Sequence, residues 1–408
     1  MSRIHVVGAG IVGSAVATWL TEAGHEVVVF DADPDGLPTS SGNAALIALP
    51  EIAPLASPGI LTAVPGWLLD PLGPLTIRWQ DVPAMLPWLM AFLRSAVPSH
   101  GVHVRRALGS LMQTALDDHR TMSGIAGVEN YLRQSGYLSV HSTQRSVAAG
   151  LDEAEKVKAV LGYDYEALDV AAARRLVPQL EGDFAGAVHQ PGYWMVTNPL
   201  TVLRHYQSFL RGKARIEAGR VVGLEQGADG VTLNLEDGRS SSADFVVVAA
   251  GVWSRELVRQ SGAKVLLETE RGYNTTFTDL DWNLAMPVGF ADHGFIASPL
   301  VDGLRVGGAV ELAKPETAPN YGRAKAMRAK MRRYVPALPE GGTEWMGRRP
   351  STPDSLPVIS RHPRDKRVLF AFGHGHLGLT LSAVTGRMIA DLVAGGPEVP
   401  AFSIQRFQ

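Results

Sequence analysis

A chain of 408 residues is long enough to bury large cores and suggests two domains rather than one. Its 38 basic and 40 acidic residues are mixed along the chain, at a net charge of −2, which excludes a nucleic-acid-binding basic block and a disordered acidic tail. It has no cysteine, which excludes disulfides, thiolate metal sites and a thiol nucleophile, and fits a reducing compartment. No metal site is expected.

Ile4–Val7 is an apolar run that reads as a buried strand, and Gly8-Ala9-Gly10-Ile11-Val12-Gly13 follows it at once. Ser14–Ala23 then reads as a helix, with Ala15, Val16, Trp19 and Leu20 at helical spacing and Gly24 placed to end it. Glu26–Phe30 is a second apolar strand that ends at Asp31. This βαβ start carries Gly-x-Gly-x-x-Gly. Gly8 allows the tight turn, Gly10 the close approach of a pyrophosphate, and Gly13 the close packing of helix on strand. The helix N-terminus offers free N–H groups to that pyrophosphate, and Asp31 sits where an acid binds adenosine ribose hydroxyls. Because the first apolar run is this strand, no secretory signal is expected.

Pro34 and Pro38 mark a loop, followed by the small, polar stretch Thr39–Ala45, which suits close approach to a flat polar ligand. Residues 50–98 read as Pro-rich and irregular. Within them Ile52–Leu69 lacks charge, but Pro54, Pro58 and Pro65 exclude a membrane span; Val82–Leu93 is short and holds Pro83 and Pro87. Trp67, Trp79 and Trp88 suit burial under a domain interface, and peripheral contact with a membrane surface stays open. His103–Arg133 reads as mostly helical, Gly136–His141 as a strand, and Asp152–Leu161 as a helix closed by Gly162. Asn198 is placed to cap a helix running to about Leu210. Strands follow over Lys213–Glu217, Arg220–Glu225, Val231–Leu235 and Asp244–Ala249. The last is apolar throughout, as in a parallel sheet, and runs into Ala250-Gly251, a second place for close backbone approach.

Val265–Pro319 is β-rich, Arg323–Tyr334 reads as a basic helix, and Trp345–Ile359 reads as a loop stiffened by Pro350, Pro353 and Pro357. Val368–Phe372 is a buried strand leading through Gly373-His374-Gly375-His376-Leu377-Gly378 into a helix over Leu379–Val393. This second Gly-x-Gly-x-x-Gly has no strand and acid after it, so it is not read as a dinucleotide site. The glycine-lined N-terminus of its helix suits negative charge that develops on a bound group.

Together these stretches resemble the glycine oxidase/D-amino acid oxidase superfamily of FAD enzymes, and within it most the bacterial D-amino acid dehydrogenase small subunit. The likeness covers nearly the whole chain. It is carried by Gly8–Gly13 with Asp31, Ser40–Ala44, Ala56–Gly59, Arg271–Tyr273, Arg305–Gly308, Gly347–Pro350 with Thr352–Asp354, and Gly373–Thr380. It implies an α/β fold: a Rossmann-type, GR2-like FAD-binding domain (1–50, 197–260 and 345–408) with a second, β-rich α+β substrate or cap domain (51–196 and 261–344). The FAD is expected to be non-covalent, since no cysteine can tether it.

The resemblance implies that FAD is bound by Gly8, Gly10, Ile11, Val12, Gly13, Asp31, Ala32, Ser40, Ser41, Gly42, Asn43, Val221, Ala250 and Gly251. Gly373, Gly375, His376, Leu377, Gly378, Leu379 and Thr380 would also bind the cofactor, with Gly375 and Gly378 facing the flavin edge. Arg349 matches the arginine that pairs with the substrate carboxylate, which its rigid fork fits bidentately. Tyr273 and His374 are catalytic candidates; Tyr193 and His293 are further pocket candidates. The expected activity is oxidation of small amino acids, of D configuration, by hydride transfer to flavin N5. The imino acid then hydrolyses to a 2-oxo acid and ammonia. Quinone or oxygen would be the electron acceptor, in the cytoplasm or on the inner face of the cell membrane. The alternatives are an enzyme for N-substituted or cyclic amino acids such as sarcosine or D-proline, and a non-catalytic flavoprotein subunit. Oligomeric state stays open.

Overall fold

The computed structural model describes residues 1–56 and 75–408. Ser57, Pro58, Gly59, Pro65 and Trp67, used above, lie outside the described residues. A six-stranded sheet runs in the order Arg215–Ala218, Glu26–Asp31, Arg3–Val7, Phe245–Val248, Val368–Phe372, Val358–Arg361, parallel except for the last strand. Its four inner strands are largely apolar on both faces, as a covered parallel sheet requires. Ile4, Val6, Val27, Val29, Val247 and Leu369 join a core shared with the helices Ile11–Glu22, Pro98–Ala126, Pro199–Lys213 and Gly378–Val393. Val7, Val28, Phe30, Val246, Val248 and Phe370 join a second core with Leu224, Val231 and Leu233 of a three-stranded antiparallel sheet.

A nine-stranded, mostly antiparallel sheet forms the other half of the molecule. Its order is Thr343–Ser351, Glu268–Phe277, Gly303–Leu312, Phe295–Leu300, Val288–Phe290, Leu138–His141, Gly186–His189, Glu166–Leu168, with Leu75–Ile77 also paired to Gly303–Leu312. The architecture is thus α/β with a parallel sheet beside a β-rich half, as expected.

Local signals place most boundaries. The Asn198 side chain accepts from the Leu200 and Thr201 amides and starts its helix. Gly127, at φ +66°, ends the long helix at Ala126, short of the expected Arg133. Two expectations fail. Residues 50–98 are not wholly irregular, because Val82–Ser95 is a helix. Pro83 stands in its first turn, where no N–H is needed, and buried Met85 and Trp88 hold its inner face. Trp88 is also tied by its indole N–H to the Ser351 carbonyl at 2.9 Å, whereas Trp79 is exposed. The Trp345–Ile359 stretch is not a loop from its start either. Thr343–Ser351 is a strand, and it tolerates Pro350 because it is at the sheet edge, bonded on one side only to Glu268–Phe277. Among the described residues no helix is long and apolar enough to cross a membrane.

Candidate active site

The carboxyl ends of the parallel strands and one face of the large sheet enclose a cavity of about 810 Å³. Its floor is the first βα turn. A side chain on Gly8 (φ +111°) would lie 2.5 Å from the Ala249 carbonyl oxygen, and one on Gly13 would lie 1.8 Å from the Gly8 carbonyl oxygen. The helix can start this close to the strand only with both glycines. Gly10 differs: nothing lies within 4 Å of where its side chain would begin. It is the helix N-cap, extended and without a side-chain cap, so the first-turn N–H groups open on the cavity. The Asp31 carboxylate is fixed by the Ala9 amide at 2.6 Å and the Asp33 amide at 2.8 Å.

One wall is the turn Thr39–Gly42, clamped to the large sheet. Arg305 donates to the carbonyls of Ser41 (3.1 Å) and Asn43 (2.7 Å), and Asn274 donates to that of Gly42 (2.7 Å). Burial pushes the Arg305 pKa down to about 10, which leaves it charged at neutral pH. Opposite stands the Gly375–Leu377 turn before the Gly378–Val393 helix, whose N-terminus also lacks a side-chain cap.

The cavity brings together Gly8, Gly10–Val12, Asp31, Ala32, Ser40, Gly42, Asn43, Val221, Ala250, Gly251, Tyr273, Arg349, His374 and Gly375–Thr380. Gly13, Ser41 and Gly373 do not line it. Gly13 is packed on Gly8, the Ser41 hydroxyl is turned to the Pro38 carbonyl (2.8 Å), and Gly373 (φ +82°) faces Thr352. Their part is to shape the backbone behind the wall.

Arg349 is paired in register with Glu270 across the sheet edge. Its guanidinium crosses Gly272, where a side chain would lie 2.2 Å from Nη2, and donates to the Ala309 carbonyl at 3.2 Å. Its other donors have no partner among the described residues. Burial lowers its pKa and Glu270 opposes that; burial raises the Glu270 carboxyl and Arg349 opposes that. Arg348 is spent elsewhere, on the Pro315 carbonyl at 2.7 Å and over the Trp253 ring.

Tyr273 and His374, the other two catalytic candidates, line the cavity with polar atoms bonded within the protein. The Tyr273 hydroxyl donates to Glu311 and accepts from the Asn320 amide at 3.0 Å, within a buried network that includes Arg271 and Arg78. Its proton and one lone pair are taken within the protein. The His374 ring is buried and bonded to the Thr385 hydroxyl at 3.0 Å, and burial pushes its pKa down to about 3. It is a neutral tie between turn and helix. His376 faces the cavity with its side chain exposed there, and desolvation and then Arg349 lower its pKa. His293 is turned to the Tyr334 hydroxyl at 2.9 Å and does not line the cavity.

Glu51, Arg305, Asn274 and Tyr137 line the cavity and were not among the expected residues. For Glu51 a signal existed, because it is the only charged residue between Asp35 and Asp70. For the others spacing offers none.

The family model described as DAO, FAD dependent oxidoreductase, matches residues 3–392. The chain belongs to this family. It is 32% identical to a D-amino-acid oxidase of Bradyrhizobium diazoefficiens over 99% of both chains. It is 30% identical to a D-amino acid dehydrogenase of Methylobacterium nodulans over 97% of this chain and 96% of that protein. Its fold is that of a glycine oxidase from Geobacillus kaustophilus, with a TM-score of 0.74 at 23% identity over 100% of this chain and 98% of that one. The protein is an FAD-dependent oxidoreductase of amino acids.

The lining of the cavity fits FAD. Gly10 and Gly251 leave open space where a backbone can touch a pyrophosphate. The Asn274 carboxamide oxygen is buried with no partner among the described residues, which leaves an acceptor for a ring N–H.

Proposed function

We propose that this enzyme oxidises small D-amino acids to imino acids, which hydrolyse to 2-oxo acids and ammonia. One observation carries the reading: the Arg349 guanidinium is held in the cavity wall with donors that no described residue takes. Such a fork takes a carboxylate bidentately and fixes its orientation. Gly8, Gly10–Val12 and Asp31 would hold the dinucleotide half of FAD, Gly42 and Asn43 its middle, and Gly375–Thr380 the flavin edge. Bound FAD supplies the hydride acceptor. The chain's own residues bind and orient: with the carboxylate on Arg349 and one slot for the side chain, only one enantiomer turns its α-hydrogen to the acceptor. No enzymic base is needed once the amine is neutral, which agrees with the sequestered His374 and Tyr273. The names of the relatives support the D series and divide between oxidase and dehydrogenase.

The test is anaerobic bleaching of the bound flavin by paired D- and L-amino acids, beside sarcosine and D-proline. D-Alanine or another D-amino acid should bleach it, its L-enantiomer should not, and each turnover should yield one 2-oxo acid and one ammonium. Equal rates for both enantiomers, or bleaching by sarcosine or D-proline alone, would overturn the reading. Reoxidation by a quinone and by oxygen then ranks the acceptors, and the quinone is expected to be faster.

A further inference from the structure

The cavity that Arg349 lines also carries a carboxyl that no protein cation among the described residues claims. Glu51 follows the short strand Leu46–Ile47, and its amide donates to the Ala48 carbonyl at 3.0 Å, which holds it in a turn. Its side chain lines the cavity beside Tyr193, whose hydroxyl interacts with the carboxyl. Tyr193 stacks on Tyr137 with ring centroids 4.7 Å apart, and a side chain on Gly289 would strike the Tyr137 hydroxyl, so both rings are fixed. The cation that acts on Glu51 is Arg105, which is already in a two-pronged pair with Glu153. Residues 57–74 contain no basic residue. Leu55, Phe290 and Ile296 supply the apolar wall of the cavity. One cavity therefore presents a fixed guanidinium from the large sheet and an unpaired carboxyl from the Ala48–Glu51 turn.

We propose that Glu51 sets substrate class: the enzyme prefers amino acids whose side chain ends in a cation, an ammonium or guanidinium, which Glu51 and the Tyr193 hydroxyl bind while Arg349 holds the carboxylate. This rests on the amino-acid reading of the same site. Burial and the nearby Glu153 disfavour the charged form of Glu51 and push its pKa up to about 7. A ligand cation relieves that penalty, whereas an apolar side chain leaves the carboxyl protonated against the phenols. The preference is therefore a difference between a paired and an unpaired buried group, which makes it large.

The experiment uses the holoenzyme and two matched pairs of ligands. 6-Aminohexanoate and hexanoate have no α-amine and cannot be oxidised; their binding is read from the visible spectrum of the bound flavin. D-Lysine and D-norleucine have similar length and differ by the terminal charge; their kcat/KM values are read from flavin reduction. The wild type should favour the cationic member of each pair on the order of a hundredfold. Glu51→Gln should bring both ratios to within a few-fold of one, and Tyr193→Phe should reduce them in part. A wild-type ratio near one overturns the proposal. So does a ratio that survives Glu51→Gln, even if both members weaken together, since Glu51 would then serve the fold or the shared α-amino group. If no amino acid bleaches the flavin but the 6-aminohexanoate preference holds and falls with Glu51→Gln, the oxidation reading fails while the cation subsite stands.

Discussion

Gly272→Ala separates the position of Arg349 from its presence. A side chain at 272 would lie 2.2 Å from Arg349 Nη2, and ordinary contact begins at 3.4 Å. The guanidinium must therefore retreat by about 1.2 Å. It can do so, because the obstacle is the far end of a flexible side chain and not backbone. Gly272 lies in a strand interior without positive φ, so alanine there should be neutral or stabilising by roughly 0.5–1 kcal/mol. Misplacing a substrate-orienting group by about 1 Å costs on the order of a hundredfold, or about 2.7 kcal/mol. We expect kcat/KM for the best D-amino acid to fall by about that factor, while the melting temperature and flavin content hold. In an Arg349→Ala background the same substitution should add little, which a double-mutant cycle reads directly. Gly272→Ala with kcat/KM within about threefold of wild type would refute the role given to Arg349 as positioned. So would a full, additive loss in the Arg349→Ala background.

Arg349→Ala should cost ~2–5 kcal/mol in kcat/KM and Arg349→Lys should restore little, because a point charge cannot form the fork. Arg348→Ala should matter much less, and equal effects of the two alanine variants would move the carboxylate role elsewhere. Asp31→Ala should lower FAD retention, measured by dialysis of the yellow protein, without unfolding it, and acid precipitation of the wild type should release all colour to the supernatant. The His374 pKa is depressed to about 3, so between pH 6.5 and 3 the unfolded chain binds a proton that the native chain does not. Its stabilising contribution is present above 6.5 and is lost on acidification, at up to ~1.4 kcal/mol per pH unit. In urea unfolding at pH 7.5 and pH 5, His374→Gln should therefore lose about 2 kcal/mol less on acidification than the wild type. An unchanged difference would mean that the ring is not buried neutral.

The first thirty-one residues specify their own structure, because every constraint there is local. Gly8 must turn, Gly13 must touch Gly8, and Asp31 must end the second strand, all at spacings that the chain itself dictates. The same holds for Asn198 as a cap and for the glycines of the Gly373–Gly378 turn. That Arg349 and the glycine turns would share one cavity was also legible, through the likeness carried by their motifs. What spacing could not show is how side chains are spent. Tyr273 and His374 looked available, yet Glu311 and Thr385, 38 and 11 residues away in sequence, claim them. Asn274 carried no signal, and Arg305 stood out only as part of a family motif, because their role is to hold the Ser41–Asn43 turn from the far sheet, more than 200 residues along the chain. The strand Thr343–Ser351 read as a loop because proline forbids central strands, and only the assembled sheet makes it an edge. Glu51 stood out as a lone acid in an apolar run, but its meaning depends on Tyr193 and Tyr137 closing over it. Short-range sterics write themselves into sequence; the pairing of buried polar groups is decided only when distant segments meet and compete for the same donors and acceptors.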